Sequence, residues 1–222
     1  MKSASGADGS SASAKASPAA EPNGVEKLSA KEIYDTGTKT NAEAGSFHEK
    51  MSRAGATSDL RLSATGCVGT VDVAKSGSFQ VVRKGAEVWA KPDSKFADGM
   101  NEALGEKLLS TDKWLHGTTS NVLMQKLGSW CHQEQLTAPD KLDADTKVTK
   151  GKVTTVDGQP AVSVVLASNG ESVTWYVATT GKPYFFKEDS TRDDMPDIAY
   201  SDFGTTVDAQ APSGSVVEAP KE

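Results

Sequence analysis

The run Phe79-Gln80-Val81-Val82-Arg83-Lys84-Gly85-Ala86-Glu87-Val88-Trp89-Ala90-Lys91 holds two short segments rich in Val, Phe and Trp, separated by Lys84-Gly85 and stopped by Pro92. Such segments around a glycine turn read as a β-hairpin, and proline ends the second because it has no N–H to give to a ladder. Upstream the same period of two recurs. Ser76-Gly77 is a turn, and Val68, Val71 and Val73 continue a strand past Gly66, where a bend or bulge is expected. Leu60, Leu62 and Ala64 alternate with Asp59, Arg61 and Ser63. Before them, Phe47, Glu49, Met51 and Arg53 alternate with His48, Lys50 and Ser52, an unevenly amphipathic strand. Residues 46–92 therefore read as a meander of hairpins.

Downstream the period changes. From Lys95 to about Leu109, residues Phe96, Met100, Ala103, Leu104, Lys107 and Leu108 fall near one helical face. Trp114-Leu115 is a short extended piece. Thr119 or Ser120 is then expected to cap a helix carrying Val122, Leu123, Lys126 and Leu127, ended by Gly128. Strands return at Thr146–Val156, Ala161–Ala167 and Ser172–Ala178, with Val173, Trp175 and Val177 on one side of the last. Asp157-Gly158 and Asn169-Gly170 are the turns between them, the second a strong type I′ signal. Thr180-Gly181 leads into Pro183–Lys187, then a charged loop over 188–196, then a final strand from Ile198 to Ala209. Ahead of the first meander, Ser29 with Glu32 forms a capping box for a helix carrying Ile33 and Tyr34 and closed by Gly45. The whole is one α+β domain over 27–212, with a frayed tail over 213–222.

Residues 1–26, rich in Ser, Ala, Gly and Pro, bury too little apolar surface to offset ordering entropy and read as a flexible tether. Two origins fit it: an ordinary disordered terminus, or a mature lipoprotein's tether whose signal peptide and lipid-bearing Cys are replaced by Met1. Cys67 and Cys131 form no CxxC, and with His132 they are too few for a zinc site. They fit either one disulfide of an exported protein or two unrelated buried thiols. The chain has 222 residues, 36% hydrophobic and 24% charged, and a net charge of -6 with Lys and Arg scattered among Asp and Glu. No basic stripe marks a nucleic-acid binder, and no apolar run of 18 residues spans a membrane.

Catalytic patterns are missing: no GxSxG, P-loop, HExxH or GxGxxG occurs. His48, His116 and His132 share no ligand spacing, and the cluster Asp189, Arg192, Asp193, Asp194 and Asp197 lacks the alternation and closing Glu of an EF-hand. A solvated loop accounts for that cluster. No catalytic centre, metal or cofactor is expected. Trp89, Trp114, Trp130 and Trp175 either fill a core or line a ligand cavity.

In order along the chain, Leu28-Ser29-Ala30, Gly66-Cys67-Val68-Gly69-Thr70-Val71, the hairpin 79–91, Lys113-Trp114-Leu115 and Tyr200-Ser201-Asp202-Phe203-Gly204 leading to Ala211-Pro212 resemble the LolA-like lipoproteins of actinobacteria, the LppX/LprAFG group. The resemblance covers about residues 28–212. It implies a strongly curved antiparallel sheet, a half-barrel, packed on a few helices around an apolar cavity. It further implies export, acylation at an N-terminal Cys and anchorage on the outer face of the bacterial cytoplasmic membrane, with a lipid or lipidated ligand as cargo. On this basis Phe96, Met100, Leu104, Leu108, Val122, Leu123 and Leu127 are expected to face Trp89 and Trp175 across the cavity. The acylated Cys is absent, and Gly, Ser and Thr stand where a long acyl chain would favour Leu, Ile and Phe. The alternative is a regulatory or sensory lipoprotein that carries nothing and binds another envelope protein.

Overall fold

Period-two alternation over residues 46–92 builds five consecutive antiparallel strands: β1 (Ser46–Arg53), β2 (Ala56–Ser63), β3 (Gly66–Val73), β4 (Gly77–Lys84) and β5 (Glu87–Pro92). The computed structural model describes residues 21–131, 142, 145–192 and 194–220. The second meander comprises β7 (Lys147–Val156), β8 (Gln159–Ser168), β9 (Glu171–Ala178), β10 (Phe185–Ser190) and β11 (Asp197–Ser201), with β6 (Trp114–Thr118) between the two groups. Among the described residues there are twelve strands, in the order β12-β6-β5-β4-β3-β2-β1-β11-β10-β9-β8-β7, where β12 is Val216–Glu218. The seam is β1 against β11, from His48 opposite Ser201 to Ser52 opposite Asp197. It joins the two meanders into one open, curved sheet, antiparallel everywhere except the β6–β12 pair.

Three helices cover one face. Helix α1 (Ala30–Ala44) starts at Ser29, whose side chain accepts from the Glu32 N–H while Glu32 accepts from the Ser29 N–H, and stops at left-handed Gly45. It lies on β7, β8 and β10, where Gly37 admits the Phe185 ring: a Cβ there would stand 2.8 Å from it. Helix α2 (Ser94–Leu104) lies on β4 and β5, and α3 (Val122–Gly128) on β4, β5 and β6.

Register shows that all three helices share a face. Val81 opposes Gly69, Gly69 opposes Leu60, Leu60 opposes Glu49, and Glu49 opposes Tyr200. From β11 the row steps diagonally through Ile198 to Glu188, then to Trp175 and Val164. Residues directly opposite one another point to the same side. At one end of this face Phe79 and Val81 meet Phe96 and Ala97 of α2 and Met124 and Leu127 of α3; at the other, Val162 and Val164 meet Ile33 and Tyr34 of α1.

Several boundaries differ from the sequence reading. Gly66 does not bend a continuous strand: the chain turns at Ala64-Thr65 and β3 runs back along β2 without a bulge. Helix α2 ends at Leu104, not near Leu109, because Gly105 takes φ 68° and Asn101 pairs through its side chain with the backbone of Leu109. Asn121 caps α3, its side chain accepting from the Met124 N–H, rather than Thr119 or Ser120. Strand β10 runs into the expected charged loop as far as Ser190. Strand β11 stops at Ser201, where Asp202 and Gly204 at positive φ turn the chain to the other face, against which Ala209 is buried with Val82 and Trp89. Order also reaches past both expected domain limits: Pro22 bridges Thr180, Val25 is buried, and the tail at 216–218 forms β12 instead of fraying.

The disulfide is present. Cys67 of β3 and Cys131 beyond α3 are bonded, both fully buried, with Cα atoms 5.8 Å apart. Closing a loop of 64 residues restricts the unfolded chain, which stabilises the fold by about 4 kcal/mol on the chain-entropy account. Urea unfolding with and without reductant should show a loss of about that size, together with looser protection of α3.

The C-terminal strand has its own clasp. His116 of β6 contacts Glu218 of β12 through Nδ1 at 2.9 Å and Glu87 of β5 through Nε2 at 2.6 Å, while stacking on Trp89. Partial burial opposes the charge, but the hydrogen bonds and charges of Glu218 and Glu87 outweigh it and raise the imidazole pKa above 6.5. The clasp is therefore complete below pH 6.5 and is lost as pH rises through the raised pKa. Amide exchange at Val216–Glu218 is expected to quicken, beyond the intrinsic base-catalysed rise, between pH 6 and 9, and His116→Gln should abolish that excess.

Candidate ligand-binding face

Phe96 of α2 and Leu127 of α3 are buried against the inner sheet face, and Met100, Leu108 and Leu123 pack on the same cluster with Leu60, Leu62, Val71 and Val81. Trp175 touches both inner-face clusters, so it stands where the α1 half meets the α2–α3 half. Its ring packs on Phe185 at 4.7 Å and edge-on to Tyr34 at 6.5 Å. Three expected residues lie elsewhere. Leu104 and Val122 are 40% and 47% exposed. Trp89 is on the opposite side of the sheet, with Val82, Ala209 and the His116 ring. In β5 the inward residues are Val88 and Ala90, and apolar side chains on both parities left the direction of Trp89 undetermined by alternation.

Between the two helix-covered ends lies a polar interruption. Glu49 is 1% exposed, and neither carboxylate oxygen has a hydrogen-bond partner among the described residues. It stands between Phe47 and Met51 in the inward parity of β1. Glu188 is also buried, in β10, opposite Trp175 on one side and Ile198 on the other. The Ser58 hydroxyl, on the same face of β2, is buried without a partner. Burial alone pushes the Glu49 carboxyl up to about 7. Burial, then the charges of Glu49, Asp197 and Asp189, push Glu188 up to about 8. Tyr200, opposite Glu49, is raised well above its usual value by burial and by both carboxylates.

The basic side chains of this face are engaged elsewhere. Arg53 lies over the Trp130 ring at 5.1 Å, Arg83 donates to the carbonyls of Gly85 and Cys131, and Lys150 donates to the Leu28 carbonyl. Period-two alternation places Glu49 in the apolar parity of β1 without marking it as a site, and Glu188 falls in the expected charged loop over 188–196. The available signal was a carboxylate in phase with Phe47 and Met51.

The remaining suspects are structural. His48 pairs with Asp59 at 2.6 Å, Arg192 pairs with Asp194 and Glu171, and His132 and Asp193 lie outside the described residues. Among the described residues no group of three metal-ligating side chains occurs, and no helix is long and apolar enough to cross a membrane. An open groove of about 430 Å³ runs over Asp98, Asn101, Glu102, Gly105, Glu106 and Lys107 at the end of α2, away from this face.

An open, curved antiparallel sheet with its helices gathered on one face defines the LolA-like class of fold. The lipoprotein LppX of Mycobacterium tuberculosis has it: the two superpose with a TM-score of 0.56 over 82% of this chain and 98% of that one, at 11% identity. A LolA-superfamily protein from Nitrosomonas europaea aligns over 79% of this chain and 92% of its own, at 11% identity and a TM-score of 0.28. No protein-family model and no curated protein sequence matches the chain. The likeness to LppX is thus one of fold, and it establishes the fold as LolA-like, of the kind seen in LppX.

The two buried acids predict an unusual pH profile. Each holds its proton more tightly in the folded chain than in the unfolded one, where the pKa is near 4.5. That support is complete below pH 4.5 and is lost as pH rises through about 7 to 8. The melting temperature of the native chain should therefore fall between pH 6 and 9 relative to a Glu49→Gln, Glu188→Gln variant, and parallel profiles would contradict the assignment.

Proposed function

We propose that this chain is a lipoprotein of the cell envelope that binds a lipid or other hydrophobic ligand between the inner sheet face and helices α1, α2 and α3. The observation that carries the proposal is the inner sheet face from Phe79 and Val81 to Val162 and Val164, apolar and helix-covered at both ends, with Trp175 touching both apolar clusters. A curved sheet with helices on one side places its largest apolar surface between two layers joined by packing and by a few ties, the Cys67–Cys131 disulfide and the Asn41–Phe185 hydrogen bonds, with no continuous ladder between them. That arrangement separates at lower cost than a sheet ladder, and ligand sites favour such interfaces. The LppX fold supports the same assignment, since that protein is a lipoprotein. On this proposal the protein is exported, is anchored to the outer face of the cytoplasmic membrane by N-terminal acylation, and binds rather than catalyses. Residues 1–20, ahead of the bridge at Pro22, serve as its tether. Phe96, Met100, Leu108, Leu123, Leu127 and Trp175 would contact the ligand.

Native and denaturing mass spectrometry of the protein extracted from its host membrane tests this. A reproducible added mass that leaves on denaturation is expected. A ligand-free mass that persists after incubation with host lipids would overturn the carrier assignment and favour a lipoprotein acting on another envelope protein.

A further inference from the structure

The apolar interior is interrupted once, near its middle, and the interruption is acidic. Glu49 and Glu188 occupy the inner face of β1 and β10 on either side of β11, one level with Tyr200 and the other with Ile198. Two strand spacings and the two-residue offset between Tyr200 and Ile198 put their backbones roughly 12 Å apart, a gap that two glutamate side chains leaning toward one another nearly span. Neither forms an ion pair among the described residues. Arg53, Arg83 and Lys150 are turned to other partners, and Lys187 sits on the opposite face with Asp157 and Asp189. Asp189 and Asp197 add negative potential from that opposite face.

A carboxylate with neither solvent nor partner is costly in a finished core, and a native fold seldom keeps one that packing could replace. Glu49 has two unpartnered oxygens, and the buried Ser58 hydroxyl one strand away has a third unpartnered oxygen. Tyr200 flanks Glu49 and Trp175 flanks Glu188, each across a strand pair. Ionised carboxylates provide acceptors only, and aromatic faces attract cations. Among the described residues, no donor that carries positive charge pairs with either acid. An ammonium group brings three N–H donors and one charge in the volume of a methyl group.

We propose that Glu49 and Glu188, with Ser58 and the Trp175 and Tyr200 rings, form a recognition site for a cationic amine inside the apolar interior, so that the preferred ligand is an amphiphile with an ammonium head and an apolar tail. The inference rests on the interior binding a hydrophobic ligand at all, and it adds the headgroup class. Anionic amphiphiles are disfavoured, because a carboxylate or phosphate head would meet like charge without a basic partner. The Glu49 oxygens are closed off from solvent, so the head reaches them by displacing neighbouring side chains. Both acids are held partly protonated near neutrality, and an ammonium pairs with the ionised form. Binding therefore releases protons and strengthens from pH 6 to 9, a range in which an alkylamine stays charged.

The test uses the full chain with dodecylamine, dodecanol and dodecanoate, each below its micelle concentration, at pH 8, with titration calorimetry and tryptophan fluorescence as readouts. The amine is expected to bind at least tenfold more tightly than the acid, with the alcohol between them. In the Glu49→Gln, Glu188→Gln variant the amine-to-acid ratio is expected to collapse by about tenfold while the alcohol still binds. That ratio separates the site from general attraction of amines to an acidic surface, since the variant keeps nearly all of the surface charge. Equal affinities for the three in the native chain, or a ratio that survives the double substitution, would overturn the amine site and leave the carrier function standing. Binding of none of the three would overturn both.

Discussion

The β1–β11 seam is the constraint on which the architecture depends. Each meander is locally self-sufficient, since its strands pair with sequence neighbours through short turns. Neither alone brings α1 into the same enclosure as α2 and α3. Five residue pairs, from His48–Ser201 to Ser52–Asp197, join segments about 150 residues apart and align the inward parity of one meander with that of the other. A slip of one residue would turn Tyr200 and Ile198 outward while Glu49 and Met51 stayed inward, and the apolar face would be broken at its centre. The seam thus places the acids at the middle of a shared interior rather than at the edge of two small sheets.

Long-range ties hold the periphery to that interior. The disulfide pins the end of α3 to β3, and the return of the chain to β6 covers an edge that would otherwise offer unpaired backbone groups. The opposite edge, β7, carries Lys147, Lys150 and Lys152, charges of the kind that discourage edge-to-edge pairing. Gly37 lets α1 approach β10 closely enough for Phe185 to fill the space beneath it. The helices are held at their ends and by packing, not by ladders. The layer between helix and sheet is accordingly the part of the molecule most able to open.

Much of this was legible in the sequence where local chemistry decides. Ser29 with Glu32 set the start of α1, Asn169-Gly170 set the β8–β9 turn with both residues at positive φ, and two cysteines in a chain that resembles exported proteins pointed to the bridge that forms. What escaped was decided by partners distant in sequence. The tail becomes a strand only because β6 presents an edge and His116 a charge to it. The direction of Trp89 depends on register with β4 and β6, since Val88, Trp89 and Ala90 leave no polar residue to mark the outer face. Glu188 reads as a loop residue in a run of acids, and only the pairing of β10 with both β9 and β11 carries it inside.

The agreement of local propensity, pattern and packing fails most clearly at Glu49, and the place where it fails is informative. A leucine there would extend the row from Leu60 toward Ile198 and remove two unpartnered oxygens from the core. Folding alone gives no reason for the acid, because the ordinary exits are closed: among the described residues no base pairs with it and no backbone N–H turns toward it, and it is shut off from bulk solvent. Sequences depart from internal consistency chiefly where function requires it, at a cost in stability. Glu188 makes the same departure two strands away, on the same face, beside the tryptophan that links the two apolar clusters. Two independent violations converging on one spot are hard to attribute to drift, since each raises the cost of the other through like charge. Their convergence gives the interior a chemical preference, where an uninterrupted apolar face would accept any chain of suitable length.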